Sequence, residues 1–330
     1  LNYPRFIHSE FMTHRMFSRN ASSSRAIPVK RMIKQVAENP AMPIHWGKNQ
    51  PGMQAREELT QEDLEEATER CFIAHEKAGD KYADFPNWWY AFTESHEGFD
   101  EFGGGSFQKD PLSIQEVLYQ EWVGMAREAA KSAEELNQLG LHKQIVNRVL
   151  EPFQWIKVIV TATEWDNFFK LRLHKDAQPE IQELARCMRK AMWDSTPTLL
   201  HPGEWHLPYV KNEGTLSMSC YANKQDLLTD MIKCSVARCA RVSYLNHDKT
   251  SPDIGKDIAL ADMLLEAGHM SPFEHQATPM SWDSEGYVTD GVIRVWQGVG
   301  GWDKGTTHMD ISGNLWSGNF KSWIQNRQWK

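Results

Sequence analysis

The residues from Thr13 to Arg25, which we call the signature segment, concentrate groups that bind phosphate. Three arginines, one histidine and four serines lie within these thirteen residues. Guanidinium forks, short hydroxyls and backbone N–H groups can together surround the oxygens of a phosphate. The composition leaves a second interpretation open, which is a solvated serine-rich loop without a ligand.

Two further segments place an arginine where it could meet a ligand. Residues 147–152 (NRVLEP) carry Arg148 near a predicted helix end, where a surface arginine without function is the alternative. Residues 167–174 (NFFKLRLH) carry Arg172 in a mostly apolar context, so its charge needs a partner or a ligand. An ion pair with Asp176 or Glu180 satisfies the same need without any ligand.

Residues 268–275 (GHMSPFEH) combine two histidines with the predicted start of a helix. A helix N-terminus attracts anions, so this segment is a candidate cofactor site. A capping box, with Ser271 as the cap and Glu274 three residues on, explains the same residues structurally.

Composition limits the classes of protein that can carry these groups. The chain has 330 residues, 41% of them hydrophobic, and a net charge of −8, which favours a globular protein over a disordered one or a general nucleic-acid binder. The five cysteines contain no CxxC pair, so we expect no metal site and no disulfide framework. With no apolar run long enough for a membrane span and no recognisable signal peptide, we expect a soluble cytoplasmic protein.

The elements that must position these groups follow from periodicity and from turn residues. The pattern predicts strands over residues 1–12, 153–161 and 234–244, and strand-like pieces in the last 45 residues. It predicts helices over residues 61–80, 114–139, 141–150, 163–172 with Thr163 as cap, 178–193 and 254–267, and one starting at Ser271. Residues 13–29, 30–60 and 194–233 are predicted to be irregular, and an aromatic, glycine-rich stretch over 84–113 indicates an insertion.

These motifs taken together resemble the flavin-dependent thymidylate synthases. The family signature Arg-His-Arg-x-x-Ser-x-Asn-Glu-x-Ser-x-Arg is similar to the signature segment in register, and residues 147–152 and 167–181 resemble two further family motifs. Residues 240–244 (ARVSY) and 268–275 match two more, which normally precede the arginine signature. Their position near the C-terminus suggests a circular permutation. Thr13, Ala21 and Thr163 depart from the arginine, glutamate and arginine that the family has there.

The resemblance implies a fold and a reaction. We expect an α+β fold, mainly antiparallel sheet flanked by helices, in one domain over residues 1–330 with an insertion over about 36–125. The implied enzyme methylates dUMP to dTMP with methylenetetrahydrofolate, FAD and NADPH and without a cysteine nucleophile, and it is a homotetramer with shared active sites. Its permuted order predicts that Tyr3–Met12 and Gln276–Trp282 lie side by side in one antiparallel sheet.

The resemblance also implies roles for individual residues. Arg172 is the expected catalytic residue, because a cation beside the pyrimidine favours its ring anion. The expected dUMP ligands are Glu10, where the family prefers glutamine, with Ser22, Ser23, Arg25, Arg148 and Arg172. The expected flavin ligands are His14, Arg15, Asn167, Ser243, His269, Ser271 and Glu274.

Three other functions compete with this interpretation, and the sequence supports them unequally. A non-catalytic flavin- or nucleotide-binding relative is favoured by the departures at Thr13, Ala21 and Thr163. A cysteine-dependent thymidylate synthase needs a cysteine after proline or before histidine, and the chain has none. A nucleic-acid-binding protein using the basic residues 13–31 is disfavoured by the acidic net charge.

Overall fold

The computed structural model describes residues 1–52, 54–78, 86, 88, 112–210, 216, 218–242, 252–279, 287–289, 293–295, 308–310, 315–316 and 318–330. Within these ranges the protein mixes helices with small antiparallel sheets, which confirms the α+β class. No helix in these ranges is long and apolar enough to cross a membrane. The predicted aromatic insertion over 84–113 lies almost entirely outside the described residues.

A three-stranded antiparallel sheet carries the signature segment. Its central strand β3 (Trp155–Thr161) pairs with β1 (Asn2–Pro4) on one side and with β2 (Ser18–Ala21) on the other. The β-branched residues of β3 suit the middle of a sheet and confirm the predicted strand over 153–161. Because β2 lies inside the signature segment, the expectation of an irregular loop over residues 13–29 is wrong for those four residues.

Helices on one face of this sheet close the main core. A short helix α1 (His8–Phe11) leads into the signature segment, α6 (Asp166–Arg172) follows β3, and α7 (Pro179–Trp193) follows α6. The proline at the first position of α7 suits a helix start, as predicted. Buried side chains from the sheet and these helices form the core, including Tyr3, Ile7, Phe11, Phe17, Ile156, Phe168, Ile181 and Leu184.

A second core is entirely helical. It joins α2 (Val29–Glu38), α4 (Ile114–Gln138) and α5 (Lys143–Val149) through Val36, Ala126, Ala130 and Val146. The acidic helix α3 (Gln61–Ala78) contributes Leu64 to a smaller cluster at the start of α4. The predicted helices over 61–80, 114–139 and 141–150 are confirmed, and Gly140 ends α4 with a positive φ of 84°.

The C-terminal elements pack against the free side of β2. They comprise α8 (Lys224–Ala240), α9 (Ile254–Glu266), a 3₁₀ turn over Ser271–Glu274, and strands β4 (Ala277–Pro279) and β9 (Trp323–Gln325), which pair with each other. Between them, β5 (Tyr287–Thr289), β6 (Ile293–Val295), β7 (His308–Asp310) and β8 (Leu315–Trp316) form a further antiparallel sheet. The predicted helix over 254–267 and the strand-like pieces of the last 45 residues are confirmed.

The first twelve residues are a strand only over Asn2–Pro4. The chain then forms a 3₁₀ turn over Arg5–Ile7 and continues into α1. Tyr3, Ile7 and Phe11 are four residues apart and are each at most 2% exposed, and a helical backbone places that spacing on one face. The spacing of buried residues after Pro4 is therefore that of a helix, and the strand predicted over residues 1–12 is wrong from Arg5 onwards.

The predicted strand over 234–244 is also wrong, because this segment is the end of α8. All residues from Cys234 to Cys239 are buried, so this turn and a half of helix shows no amphipathic period. The same helix begins at Lys224, inside the stretch 194–233 that was predicted to be irregular. Likewise α2 occupies the start of the predicted irregular stretch 30–60.

The helix starts expected at Thr163 and Ser271 are not formed as predicted. Helix α6 begins at Asp166 after Trp165, and the Thr163 hydroxyl instead accepts the N–H of Lys321 at 2.9 Å. The Ser271–Glu274 turn is 3₁₀, and neither Met270 before it nor Ser271 makes a side-chain cap. The Glu274 carboxylate pairs with Arg327.

The strand pairing expected from a circular permutation is wrong. Strand β1 pairs with β3, whereas β4 pairs with β9, so the segments Tyr3–Met12 and Gln276–Trp282 lie in different sheets over their described residues. Strand β3 already has a neighbour on each edge, and β9 fills the position beside β4. The permuted motif order therefore does not produce a shared strand pair.

Candidate active site

Aromatic packing fixes the position of His14 in the signature segment. Its ring stacks on Phe17 at 5.7 Å between centroids and meets Phe168 of α6 edge-on at 4.9 Å. Phe11, at the end of α1, packs against both Phe17 and Phe168. These contacts fix α1, the turn that follows it and α6 relative to one another. His14 is 8% exposed and faces the C-terminal end of α6.

Arg172, the last residue of α6, is the meeting point of three signature-side residues. Its Nε donates to His14 Nε2 at 2.9 Å, one terminal nitrogen pairs with the Glu10 carboxylate, and the other donates to Thr13 Oγ1 at 3.3 Å. The side chain of Arg172 is 17% exposed and that of Glu10 is 27% exposed. The ion pair that Arg172 requires is thus with Glu10, and the expected partners Asp176 and Glu180 do not make it.

This arrangement determines the protonation state of His14. Burial, with a further contribution from the positive charge of Arg172, lowers the pKa of His14 to about 4. At neutral pH the ring is uncharged, so Nε2 is an acceptor for Arg172 and the proton resides on Nδ1. The pair is a neutral imidazole that orients a cation.

Thr13 and Glu10 stand at two positions where this chain differs from the family that it resembles. Thr13 also donates its hydroxyl to the carbonyl of Glu10 at 2.7 Å, which ties both residues to the end of α1. The Glu10 carboxylate reduces the net positive charge around Arg172, and the neutral Thr13 hydroxyl adds no charge where the resembling family has a guanidinium. Both differences lower the positive field on a neighbouring ligand.

A second polar cluster forms where the signature segment leaves β2. The Ser22 hydroxyl accepts the N–H of Lys157 at 3.1 Å, and the Ser24 hydroxyl donates to Glu151 at 3.1 Å. Glu151 also accepts from Arg5 at 3.0 Å and lies 3.9 Å from Arg148. The backbone from Ser22 to Ser24 is therefore anchored from two sides.

Asn147 completes the anchoring of this turn. Its buried amide donates to the carbonyls of Ser24 and Ile27 at 2.7 and 2.9 Å. The candidate dUMP ligands Ser23 and Arg25 are exposed between these fixed points, and the Arg148 side chain is 63% exposed. The Ser22 hydroxyl, also a candidate dUMP ligand, instead accepts a backbone hydrogen bond from Lys157 of β3.

The two polar clusters are separate within the chain. In the described ranges no hydrogen bond or ion pair joins the Arg172 cluster (Glu10, Thr13, His14, Arg172) to the turn around Ser23. The sequence prediction placed both clusters on one dUMP molecule, and within one chain no described contact joins them.

The C-terminal motif residues lie beside β2. The Gln325 amide donates both to Ser18 Oγ at 2.9 Å and to the carbonyl of Glu274 at 2.6 Å, and Asn20 donates to the carbonyl of Cys239 at 3.3 Å. The 3₁₀ turn over Ser271–Glu274 is thus joined to the signature strand through one side chain, despite the absence of strand pairing.

The candidate flavin ligands differ in their availability. Arg15, Asn167, His269 and Ser271 are exposed, and no described hydrogen bond occupies their side chains. The Glu274 carboxylate is paired with Arg327, and its side chain is 15% exposed. Ser243 lies outside the described residues.

Arg241 of the ARVSY motif forms an ion pair within the protein core. Arg238 and Arg241 both pair with Asp257 of α9, and both Arg238 and Asp257 are fully buried. The pairing fixes α8 against α9 at the point where the motif begins.

Two of the cysteines, Cys187 and Cys239, have raised thiol pKa values. Burial raises the pKa of Cys239 to about 12, and burial with the Glu183 carboxylate raises the pKa of Cys187. In the described ranges no group of three or more histidine, cysteine or acidic side chains could hold a metal ion.

Sequence reasoning missed four residues that hold the site together: Glu151, Gln325, Arg327 and Asn147 in its anchoring role. Glu151 carried a signal, since it is the extra residue in the 147–152 motif. Gln325 and Arg327 carried no sequence signal, because they lie in a segment without a family motif. They reach Ser18 and Glu274 only in the folded chain.

Comparison with known proteins identifies a family. A family model described as thymidylate synthase complementing protein matches residues 1–198. No curated protein and no solved structure matches the chain. The matched residues include the signature segment, Arg148 and Arg172, whereas the ARVSY motif and Ser271–Glu274 lie outside them.

Proposed function

The chain belongs to the thymidylate synthase complementing protein family, the flavin-dependent thymidylate synthases, and from this premise we propose that it methylates dUMP to dTMP with methylenetetrahydrofolate as carbon donor. The observation that carries the proposal is the convergence of Glu10, Thr13 and His14 on the Arg172 guanidinium. An oriented cation at the end of a helix is the group that this reaction requires beside the pyrimidine.

Arg172 acts on the pyrimidine electrostatically. Attack of C5 on the methylene carbon builds negative charge on the uracil ring, and a fixed guanidinium stabilises that charge without reorganising. His14 keeps Arg172 in place as a neutral acceptor, and of the five guanidinium N–H groups three are engaged in the chain. The remaining two are available to carbonyl oxygens of the ring.

The exposed groups around Ser23 bind the phosphate of dUMP in this proposal. Ser23, Arg25 and Arg148 supply one hydroxyl and two guanidinium groups on a turn that Asn147 and Glu151 hold rigid. Because no described contact joins this turn to Arg172, we propose that one dUMP is held by two subunits of a homotetramer, the phosphate by one and the pyrimidine by the other.

The residues present also suit FAD. Arg15, Asn167, His269 and Ser271 are exposed donors, a set that matches the oxygens of a dinucleotide diphosphate. We propose that Ser243 adds a hydroxyl donor to this set, that Glu274 contacts the flavin as an acceptor, and that His14 borders the flavin. Bound FAD, reduced by NADPH, supplies the two electrons that convert the transferred methylene into a methyl group.

The test is a spectrum followed by an assay. The purified protein is expected to be yellow, to release FAD on denaturation, and to form dTMP when dUMP, methylenetetrahydrofolate and NADPH are present. A colourless protein that takes up no FAD, even with dUMP added, would contradict the proposal.

A second candidate function is supported by one specific observation. Glu10 and Thr13 stand where the family has glutamine and arginine, so a carboxylate offsets the charge of Arg172 and a neutral hydroxyl replaces a second cation beside the proposed pyrimidine site. A relative that binds flavin and nucleotide without forming dTMP fits this arrangement. Flavin binding and dUMP binding with no dTMP would select it.

A further inference from the structure

A cavity of about 270 Å³ lies among the C-terminal elements, and none of its lining residues belongs to the Arg172 cluster. Its walls come from α8, α9, the 3₁₀ turn over Ser271–Glu274, the loop around Gly203, and a last 3₁₀ turn over Asn326–Trp329. An engineered apolar cavity of about 150 Å³ binds benzene, so this one has room for one or two rings with a short side chain. None of the residue roles described above accounts for it.

The floor of this cavity is apolar. Val236 of α8, Ala261 of α9 and Phe273 are each at most 3% exposed and form one packed cluster. Ile232 lies about one helical turn before Val236, so both side chains are on the face of α8 that lines the cavity. A ligand that fills this space therefore buries an apolar body.

Two tryptophans line the same cavity. Trp205 and Trp329 meet edge-on, with their ring centroids 5.1 Å apart. Aromatic pairs gain from offset and edge-on contacts beyond the area that they bury. These rings therefore favour a planar aromatic ligand over a branched aliphatic one.

Asn326 brings an unsatisfied amide to this cavity. The residue is 3% exposed, and its backbone N–H donates to the carbonyl of Gln276 at 2.8 Å, which fixes its position. Its buried side-chain NH₂ group has no acceptor in the described part of the chain. No described hydrogen bond engages the amide oxygen either, so the amide can turn about its broad χ2 torsion and present its NH₂ edge to a ligand.

The indole N–H of Trp329 is a second donor in the same state. It is buried and has no acceptor among the described residues. The Asp262 carboxylate, also on the wall, already has the Lys233 ammonium at 2.8 and 3.1 Å from its two oxygens. A buried N–H without an acceptor is destabilising, and cavities that stay empty are apolar, so this wall calls for a ligand with an acceptor.

We propose that this cavity binds a small aromatic carboxylate. The ring of the ligand lies against Phe273 and the two tryptophans, and its carboxylate accepts from the Asn326 amide and the Trp329 indole. A carboxylate is favoured over a neutral carbonyl because hydrogen bonds to a charged acceptor are stronger. The site is independent of the proposed function, since none of its lining residues is a proposed ligand of dUMP or of the flavin.

Ligand-observed NMR titrations of the full chain test the assignment with two probes. Indole-3-acetate and 3-methylindole share the ring and differ in the carboxylate, and we expect indole-3-acetate to bind with the higher affinity. Asn326→Leu keeps a similar side-chain volume and removes the amide. The affinity for indole-3-acetate is expected to fall about tenfold in this variant, because a hydrogen bond to a charged acceptor is lost, whereas the affinity for 3-methylindole stays unchanged.

Thr229→Trp is a second variant that blocks the cavity. Thr229 is exposed on α8 and lines the cavity, so a large ring there fills the space without changing the core, and both probes are expected to lose binding. Ala222→Trp is the matched control, since Ala222 is exposed just before α8 and does not line the cavity. This control is expected to bind both probes as the wild type does.

A wild-type protein that binds neither probe would overturn the assignment and leave an ordered water as the acceptor for the two N–H groups. Probe binding that Thr229→Trp does not reduce would also overturn it, because the probes would then occupy another place. An equal loss of both probes in Asn326→Leu would contradict the carboxylate contact. If Asn326→Leu does not fold, Thr229→Trp and the preference of the wild type for indole-3-acetate decide.

Discussion

Replacing Glu10 by glutamine removes the counter-charge of Arg172 while keeping an acceptor in place. A unit charge about 6 Å from the pyrimidine in an effective dielectric of 20 contributes about 3 kcal/mol. Solvent screening reduces this to about 1 kcal/mol, since the Glu10 side chain is 27% exposed. The negative charge of Glu10 opposes an anionic ring, so we expect kcat for dTMP formation to rise about fivefold in Glu10→Gln.

The same change has a cost in stability. The pair is partly buried, between the surface pairs that contribute under about 1 kcal/mol and the buried pairs whose disruption costs about 3–5 kcal/mol. We expect the free energy of unfolding to fall by about 1–2 kcal/mol in urea denaturation. Steady-state kinetics under saturating folate give kcat for Glu10→Gln, for the charge-conserving Glu10→Asp, and for Glu183→Gln as a surface control on α7.

A fall in kcat of tenfold or more in Glu10→Gln, with the fold intact and Glu183→Gln unchanged, would refute this reasoning. It would mean that the carboxylate takes part in the chemistry directly, as a proton acceptor or a ligand contact. The electrostatic account requires that only the charge of Glu10 matters, and that removing it strengthens the field of Arg172.

Three further predictions concern Arg172, the cysteines and two buried histidines. Arg172→Ala should keep the circular dichroism of the wild type and lose about 10²–10³ in kcat, the usual effect of removing a donor to developing charge; near wild-type kcat would remove Arg172 from the mechanism. Replacing all five cysteines by serine or alanine should spare turnover, and an inactive, well-folded single mutant would revive covalent catalysis; the positions are Cys71, Cys187, Cys220, Cys234 and Cys239. Because burial lowers the pKa of His14 to about 4 and of His275 to about 3, the unfolded chain binds more protons below pH 6.5, so the melting temperature should fall from pH 6.5 towards pH 4; a Tm that is flat over this window would contradict it.

Local signals predicted much of the helical structure. Gly140 and Gly268 end helices with positive φ, and Pro179 begins one, because each position needs a backbone that few residue types provide. Strand β3 was predictable because its residues favour a pleated sheet. These features depend on neighbours in the sequence, and a single sequence contains them.

Burial on all sides removed the signal elsewhere. The residues from Cys234 to Cys239 lack an exposed polar face, because even the charged Arg238 is buried and paired with Asp257. Near the N-terminus, the strand ends at Pro4 and a helical turn begins at Arg5. The four-residue spacing of Tyr3, Ile7 and Phe11 was the sequence signal for that change.

The site shows the same division. The types of its residues were predictable, since Arg172 needed a partner and the signature segment was rich in phosphate ligands. The partner was not predictable, because Glu10 and Arg172 are 162 positions apart and Asp176 and Glu180 were equally charged and nearer in sequence. Contacts such as that of Gln325 with Ser18, 307 positions apart, depend on the completed fold.

The most direct measurement of the central claim is dTMP formation by the purified, flavin-loaded protein with dUMP, methylenetetrahydrofolate and NADPH, with the Arg172→Ala variant assayed in parallel. The account predicts dTMP that depends on each of the three substrates in the wild type, and a loss of about 10²–10³ in the variant. A yellow, folded wild-type protein that binds dUMP and forms no dTMP would contradict it.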